Sequence, residues 1–311
     1  MEVSSFSTPS ISYPSSPATE SPLLKRARFP LRYQWLAPVS LNRGTSQPLF
    51  RQNRPLVQTA KSTKVLCSLK NDIPTVEASS MNDIYDALAE RVIPTAAAAS
   101  NPNLKYIVGL AGPPGAGKST VASEVVQRVN KLWPQRASSM DSQVNPPDVA
   151  VVLPMDGFHL YRSQLDAMEN PEEAHARRGA PWTFAPTLLL ECLKKLRNEG
   201  SVCAPSFDHG VGDPIEDDIF VSLQHKVVIV EGNYLLLEEG VWKDIPSMFD
   251  EKWFVDVDIE KAMERVLKRH ISTGKAPDIA KWRIDYNDRP NAELIIRSKR
   301  NADLIIRSID F

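Results

Sequence analysis

Val108-Gly109-Leu110-Ala111-Gly112-Pro113-Pro114-Gly115-Ala116-Gly117-Lys118-Ser119-Thr120 is the stretch that decides the fold. From Gly112 to Ser119 it has the spacing G-x-x-x-x-G-K-[ST]. A loop of this pattern turns its backbone N–H groups inward at an anion, and the helix that follows adds the positive end of its dipole. A lysine at 118 reaches the outer phosphates of a nucleotide, and a hydroxyl at 119 suits Mg²⁺. Gly112, Pro113, Pro114, Gly115, Ala116, Gly117, Lys118, Ser119 and Thr120 are therefore the candidate nucleotide-binding residues.

The flanks agree with that reading. Residues 106–110 form a buried-strand pattern ahead of the loop. Residues 119–132 put Val121, Val125, Val129 and Leu132 on one helical face behind it. Farther along, residues 149–153, 227–230, 253–257 and 304–306 read as strands. Residues 187–196 and 259–270 read as helices, the second opened by an N-cap at Asp258 and stopped near Gly274. Near-continuous apolar strands alternating with helices imply an α/β fold of three layers, a parallel sheet covered on both faces, over residues 105–311. Ala292-Glu293-Leu294-Ile295-Ile296-Arg297-Ser298 is echoed by Ala302-Asp303-Leu304-Ile305-Ile306-Arg307-Ser308. Two copies do not make a repeat array, and the pair reads as a helix or turn followed by a strand.

The 311 residues carry a formal net charge of −1, unevenly spread. Residues 1–70 hold ten Lys or Arg and two acids, Glu2 and Glu20, leaving 27 basic and 36 acidic residues for the rest, a net −9. That balance argues against a nucleic-acid partner, and no apolar stretch is long enough to span a membrane. Residues 1–70 are rich in Ser, Pro and Arg and poor in acids, as a disordered transit peptide is, and Val65-Leu66-Cys67-Ser68 looks like a plastid processing site. The expected compartment is the chloroplast stroma, with mitochondrion and cytosol as alternatives. Residues 71–104 read as a short helix at 84–92 and a linker from Thr95 to Pro102. Cys67, Cys192 and Cys203 have no metal-ligand spacing and suit a reducing compartment.

Ligands of open parallel sheets bind beyond the carboxyl ends of the strands, so the residues that follow each strand carry the chemistry. Asp156, in Met155-Asp156-Gly157-Phe158-His159, is the candidate to orient an acceptor hydroxyl and take its proton. The alternatives are a Mg²⁺ ligand or a turn cap. Glu231, before Gly232, suits Mg²⁺ directly or through water, or the orienting of a second substrate, with a plain turn acid as the alternative. The helix at 259–270 ends in Arg265, Lys268, Arg269 and His270. These cations complement its dipole, and Arg265 or Arg269 on a mobile lid would close over transferring phosphates. His159, Arg178, Asp208 and His209, set among polar and aromatic clusters, are candidates to touch an acceptor.

These segments together resemble the uridine kinase, phosphoribulokinase and pantothenate kinase superfamily. Arg178-Gly179-Ala180-Pro181-Trp182-Thr183-Phe184, Pro205-Ser206-Phe207-Asp208-His209 with Asp213-Pro214, and Asn287-Asp288-Arg289-Pro290-Asn291 look like its uridine-kinase-like branch. The resemblance spans about residues 105–308. It implies a phosphate-loop kinase with a five-stranded parallel core and a mobile lid, using ATP and Mg²⁺. It also implies that Asp156 is the catalytic aspartate and that Asn291 lies near the adenine. The expected partner is a small-molecule alcohol, a nucleoside first, with pantothenate or a sugar or sugar phosphate as the alternative. A homodimer stays open. A reading of another class, a nucleotide-binding switch or ATPase with no acceptor, would need only the loop and Glu231.

Overall fold

The computed structural model describes residues 64–66, 72–98, 104–137 and 147–309. The segment expected to be a transit peptide, Cys67 included, therefore lies outside the described residues apart from Lys64–Leu66. The strands are β1 (Lys64–Leu66), β2 (Thr75–Glu77), β3 (Tyr106–Ala111), β4 (Ala150–Pro154), β5 (Val202–Asp208), β6 (Asp213–Val221), β7 (Val227–Gly232), β8 (Glu251–Asp256) and β9 (Leu304–Arg307). The α-helices are α1 (Met81–Ala98), α2 (Lys118–Ala137), α3 (Arg162–Asp166), α4 (Pro171–Ala176), α5 (Pro186–Glu199), α6 (Ile259–Ser272), α7 (Pro277–Arg283) and α8 (Arg289–Arg297).

All five strands expected from the apolar runs are present and lie side by side, parallel, in the order β9-β8-β3-β7-β4. The strand that feeds the phosphate loop is the central one. The sheet continues two strands beyond that expectation: β2 adds parallel to β9, and β1 adds antiparallel to β2. Three-residue strands are too short to show a periodicity, which is why the sequence hides them. β5 and β6 form a separate antiparallel hairpin. Its sequence holds Pro205, Pro214 and the acidic run Glu216-Asp217-Asp218, which disguise it as loop.

Alternation along β3 sorts the core into two faces. Ile107 and Ala111 pack with Leu189 and Leu193 of α5, whereas Val108 and Leu110 pack with Ile84 and Leu88 of α1 and Val121 and Val125 of α2. α1 is longer than the helix expected at 84–92 and takes in Thr95 to Ala98, so residues 81–98 belong to the domain's core rather than to a linker. At the sheet's outer edge, Asn130 of α2 accepts from the N–H groups of Val149 and Ala150 and donates to the Ala150 carbonyl at 3.1 Å, which satisfies backbone groups that β4 would otherwise leave open. Asp258 caps α6 as expected, its carboxylate accepting from the N–H groups of Glu260 and Lys261 at 3.0 and 3.1 Å. No helix among the described residues is long and apolar enough to cross a membrane.

Candidate active site

Three adjacent strands end at the same height. Leu110 of β3 and Pro154 of β4 both pair with Glu231 of β7. The phosphate loop leaving β3, the turn carrying Asp156 after β4 and the end of β7 are thereby gathered at one edge of the sheet. Asp156 sits on a single 3₁₀ turn, Met155–Phe158. Gly157 in that turn is needed for close approach, since a Cβ there would stand 2.0 Å from the Pro205 carbonyl oxygen of β5. Gly115 in the phosphate loop has φ +80, and a Cβ there would meet the Ala262 carbonyl oxygen of α6 at 2.3 Å. The loop is thus fixed against α6 on one side and the β4 turn against the hairpin on the other.

Two adjoining chambers result. The first, about 360 Å³, is lined by Pro114, Gly115, Gly117, Lys118, Ser119 and Thr120 of the loop, with Glu231, Gly232, Arg265 and Val266. The Lys118 ammonium is buried and donates to the Pro113 carbonyl at 3.1 Å. Burial pushes it below the ordinary lysine range, Glu231 and Asp156 push it back up, and Arg269 adds to the downward push. Glu231 is 8% exposed, and its Oε1 accepts from the Ser119 hydroxyl at 3.1 Å. Burial raises its carboxyl above the usual range, Lys118 opposes that, and Asp156 reinforces it.

The second chamber, about 340 Å³, reaches from Asp156 past His159, Phe184 and Phe207 to Arg162, Arg178 and Gly212. Pro114, Asp156, Asn233 and Arg269 line both chambers and form their common boundary. The His159 ring lies 3.9 Å from that of Phe184 and 4.6 Å from that of Phe207, centroid to centroid. Its Nδ1 donates to the Asp156 carbonyl at 2.8 Å, and burial lowers its pKa. Neutral in this tautomer, His159 keeps Nε2 as an acceptor. On the far wall, His270 Nε2 and Asp288 Oδ2 pair at 2.7 Å, both largely buried.

The residues expected from sequence distribute as follows. Lys118, Ser119, Glu231, Asp156 and Arg269 converge at the chambers, and His159, Arg178 and His209 line the second. Arg265 lines the first chamber as a brace beneath the loop, donating to the Gly115 carbonyl at 3.2 Å and to the Ser308 hydroxyl at 3.4 Å. Asp208 lines neither chamber: its Oδ1 caps the hairpin turn, accepting from Gly210 N at 2.7 Å and Val211 N at 3.2 Å. Asn291, expected near the adenine, lines the second chamber, and its buried amide donates to Asn287 Oδ1 at 2.9 Å. Lys268 pairs with Glu264 on the solvent side of α6. The stretch expected to be a lid is largely helical, α7 running through a π-helical turn at Ile284–Asp288 into α8. Asn233, Arg162, Lys275 and Arg283, which no motif marks, line the second chamber as well. Only Asn233, following Glu231-Gly232, carries a local signal.

No group of three or more His, Cys, Asp or Glu among the described residues could hold a metal ion. Mg²⁺ does not ask for one, because it binds through one or two protein oxygens and completes its shell with phosphate and water. The hydroxyl–carboxylate pair of Ser119 and Glu231, buried beside Lys118, has the oxygen chemistry that fits.

The profile of the phosphoribulokinase/uridine kinase family matches residues 107–310. A Schizosaccharomyces pombe protein provisionally named a uridine kinase is 34% identical over 247 residues, covering 78% of this chain and 95% of that protein. An ATP-dependent kinase-like protein of Aspergillus versicolor is 41% identical over 152 residues, covering 47% of this chain and 88% of its own length. Among solved structures, a Silicibacter protein provisionally named a fructose transport system kinase superposes with a TM-score of 0.60 at 28% identity, covering 71% of this chain and 98% of that one.

Proposed function

The chain belongs to the phosphoribulokinase/uridine kinase family, and on that premise we propose that it is an ATP-dependent kinase transferring the γ-phosphate to an alcohol group of a small molecule. The doubled cavity carries the reading. A switch or acceptor-free ATPase needs the first chamber alone, whereas here a second chamber opens on the same Asp156. Lys118 and the loop N–H groups hold the β- and γ-phosphates. Asp156 accepts a hydrogen bond from the acceptor hydroxyl and receives its proton as the new O–P bond forms and the bond to departing ADP breaks. The transition state is loose, so orientation counts for more than base strength. His159, neutral and tied to the Asp156 carbonyl, fixes the turn and offers Nε2 to the acceptor. Arg269, at the boundary, faces the charge on the group in transit. Mg²⁺ on Ser119 and Glu231 would supply charge neutralisation across the two outer phosphates.

The test is to incubate the protein with ATP, Mg²⁺ and a panel of nucleosides, pantothenate, sugars and sugar phosphates, and to follow new phosphoesters by phosphorus NMR. An acceptor-dependent phosphoester is expected. ADP release that ignores every acceptor and responds to a protein partner would favour the switch reading. We also propose that residues 1–70 direct the chain to the plastid; a reporter fused to them that stays diffuse in the cytosol would refute this.

A further inference from the structure

We propose that the acceptor is anionic: an alcohol that also carries a phosphate or carboxylate, gripped at the far end of the second chamber by Arg162 and Arg178. The word acceptor rests on the kinase reading above; the anion rests on the charges of the chamber. Five cations line it, Arg162, Arg178, Arg269, Lys275 and Arg283, against two carboxylates, Asp156 and Asp288. Asp288 is matched by His270, and Arg269 is shared with the phosphate loop's chamber.

Arg162 and Arg178 converge on Gly212 in the turn between β5 and β6. A Cβ placed there would lie 3.5 Å from Arg162 Nη1 and 3.9 Å from Arg178 Nη1. Two guanidiniums so close repel unless an anion stands between them. Asp213 is the counterion of Arg178, accepting its Nη2 at 3.1 Å and the Arg162 backbone N–H on the same oxygen at 2.8 Å. One carboxylate against two guanidiniums leaves net positive charge. The Arg178 Nε–H is in addition buried without a hydrogen-bond partner.

Arg178 is also held in place before any ligand arrives. Its Nη2 donates to the Leu160 carbonyl at 2.8 Å, and its guanidinium lies 5.6 Å from the centroid of the Phe207 ring. A planar fork fixed in this way suits the two oxygens of a carboxylate or phosphate. Contacts run from Arg178 over the Phe207 ring to the His159 ring and on to Asp156, which puts the reacting hydroxyl and the anion at opposite ends of a compact molecule. A neutral acceptor would desolvate the arginine pair and give it nothing in return.

The test fills the nucleotide site with a non-hydrolysable ATP analogue and Mg²⁺. Inorganic phosphate, glycerate and ribose 5-phosphate are then titrated calorimetrically against neutral glycerol and ribose. In parallel, with ATP, the organic compounds are followed for new phosphoesters. The anions are expected to bind at least roughly tenfold more tightly than their neutral counterparts, with an affinity that falls as salt rises. The ranking of glycerate against ribose 5-phosphate distinguishes carboxylate from phosphate. Arg162→Gln, an exposed position at the start of α3 where folding is not at risk, is expected to weaken anion binding about tenfold, and Arg178→Gln at least as much. Anions that do not bind, neutral compounds that bind as well, or variants that leave anion binding untouched overturn the proposal and leave the kinase reading standing. Anion binding that depends on the two arginines, with no phosphoester from any compound, supports the anion site and counts against the kinase reading instead.

Discussion

At Asp156 one carboxylate faces both chambers, so its replacement separates holding the donor from using it. Asp156→Asn is expected to lower kcat by about 10²–10⁴-fold while calorimetry still finds ATP bound, whereas Lys118→Ala loses ATP binding itself. Full turnover in the Asp156 variant would remove it from the chemistry. His159 makes a pH-dependent contribution. Burial holds its folded pKa below the ordinary 6.5, so as pH drops below 6.5 the unfolded chain binds the proton first and stability falls until the folded pKa is passed. Urea melts at about pH 7.5 and about pH 5.5 should show a smaller stability loss for His159→Phe than for the native chain; equal losses would show that His159 is not the group titrating. Lys118, Asp156 and Glu231 were legible because each follows a strand or a fixed loop spacing. Arg162, Lys275 and Arg283 were not, since their place depends on which elements meet. Asp208 stands beside true lining residues in sequence but spends its carboxylate on the hairpin turn.

The contact of the hairpin with the β4 turn gives an element-level test. Gly157→Ala would put a methyl group 2.0 Å from the Pro205 carbonyl oxygen, and backbone cannot yield there as a flexible side chain can. The variant should lose about 1–3 kcal/mol of stability, as overpacked sites do, and its KM for the acceptor should rise while its affinity for ATP holds, because the phosphate loop leaves a different strand. An equal loss of ATP affinity would mean that the two chambers are not independently supported. How far elements can be read from sequence shows in the echoed string. Leu294-Ile295-Ile296-Arg297 lies in α8, and the identical Leu304-Ile305-Ile306-Arg307 is β9. The letters are the same; what differs is that Trp253, Phe254 and Val255 of β8 stand ready to pair with the second copy. Context of that kind overrides local propensity. The five core strands escaped the ambiguity because each is a buried apolar run between helices.

For the molecule as a whole, the segment ahead of the phosphate loop is structural. α1 buries Ile84, Leu88, Val92 and Ile93 against α2 and the sheet. At about 1.5–3 kcal/mol for each fully buried side chain, these four rival the ~5–15 kcal/mol stability of an ordinary domain. A chain starting at residue 105 is therefore expected to aggregate or bind hydrophobic dyes, while one starting at residue 72 melts cooperatively; a soluble, cooperative melt of the shorter chain would contradict this. The two chambers also differ in what builds them. The first is made mainly by the ends of β3 and β7 and the phosphate loop, whose heights the ladder register sets, with Asp156 and Arg265, Val266 and Arg269 of α6 completing it. The second owes its walls to pieces added outside the sheet: the turn and short helix after β4, the β5–β6 hairpin and the run from α6 to α8. On the kinase reading, the nucleotide end is therefore set mainly by the sheet and the acceptor end by the pieces outside it. Grafting another hairpin and its facing arginines onto the same sheet would be a way to retarget such a catalyst without disturbing how it is fuelled.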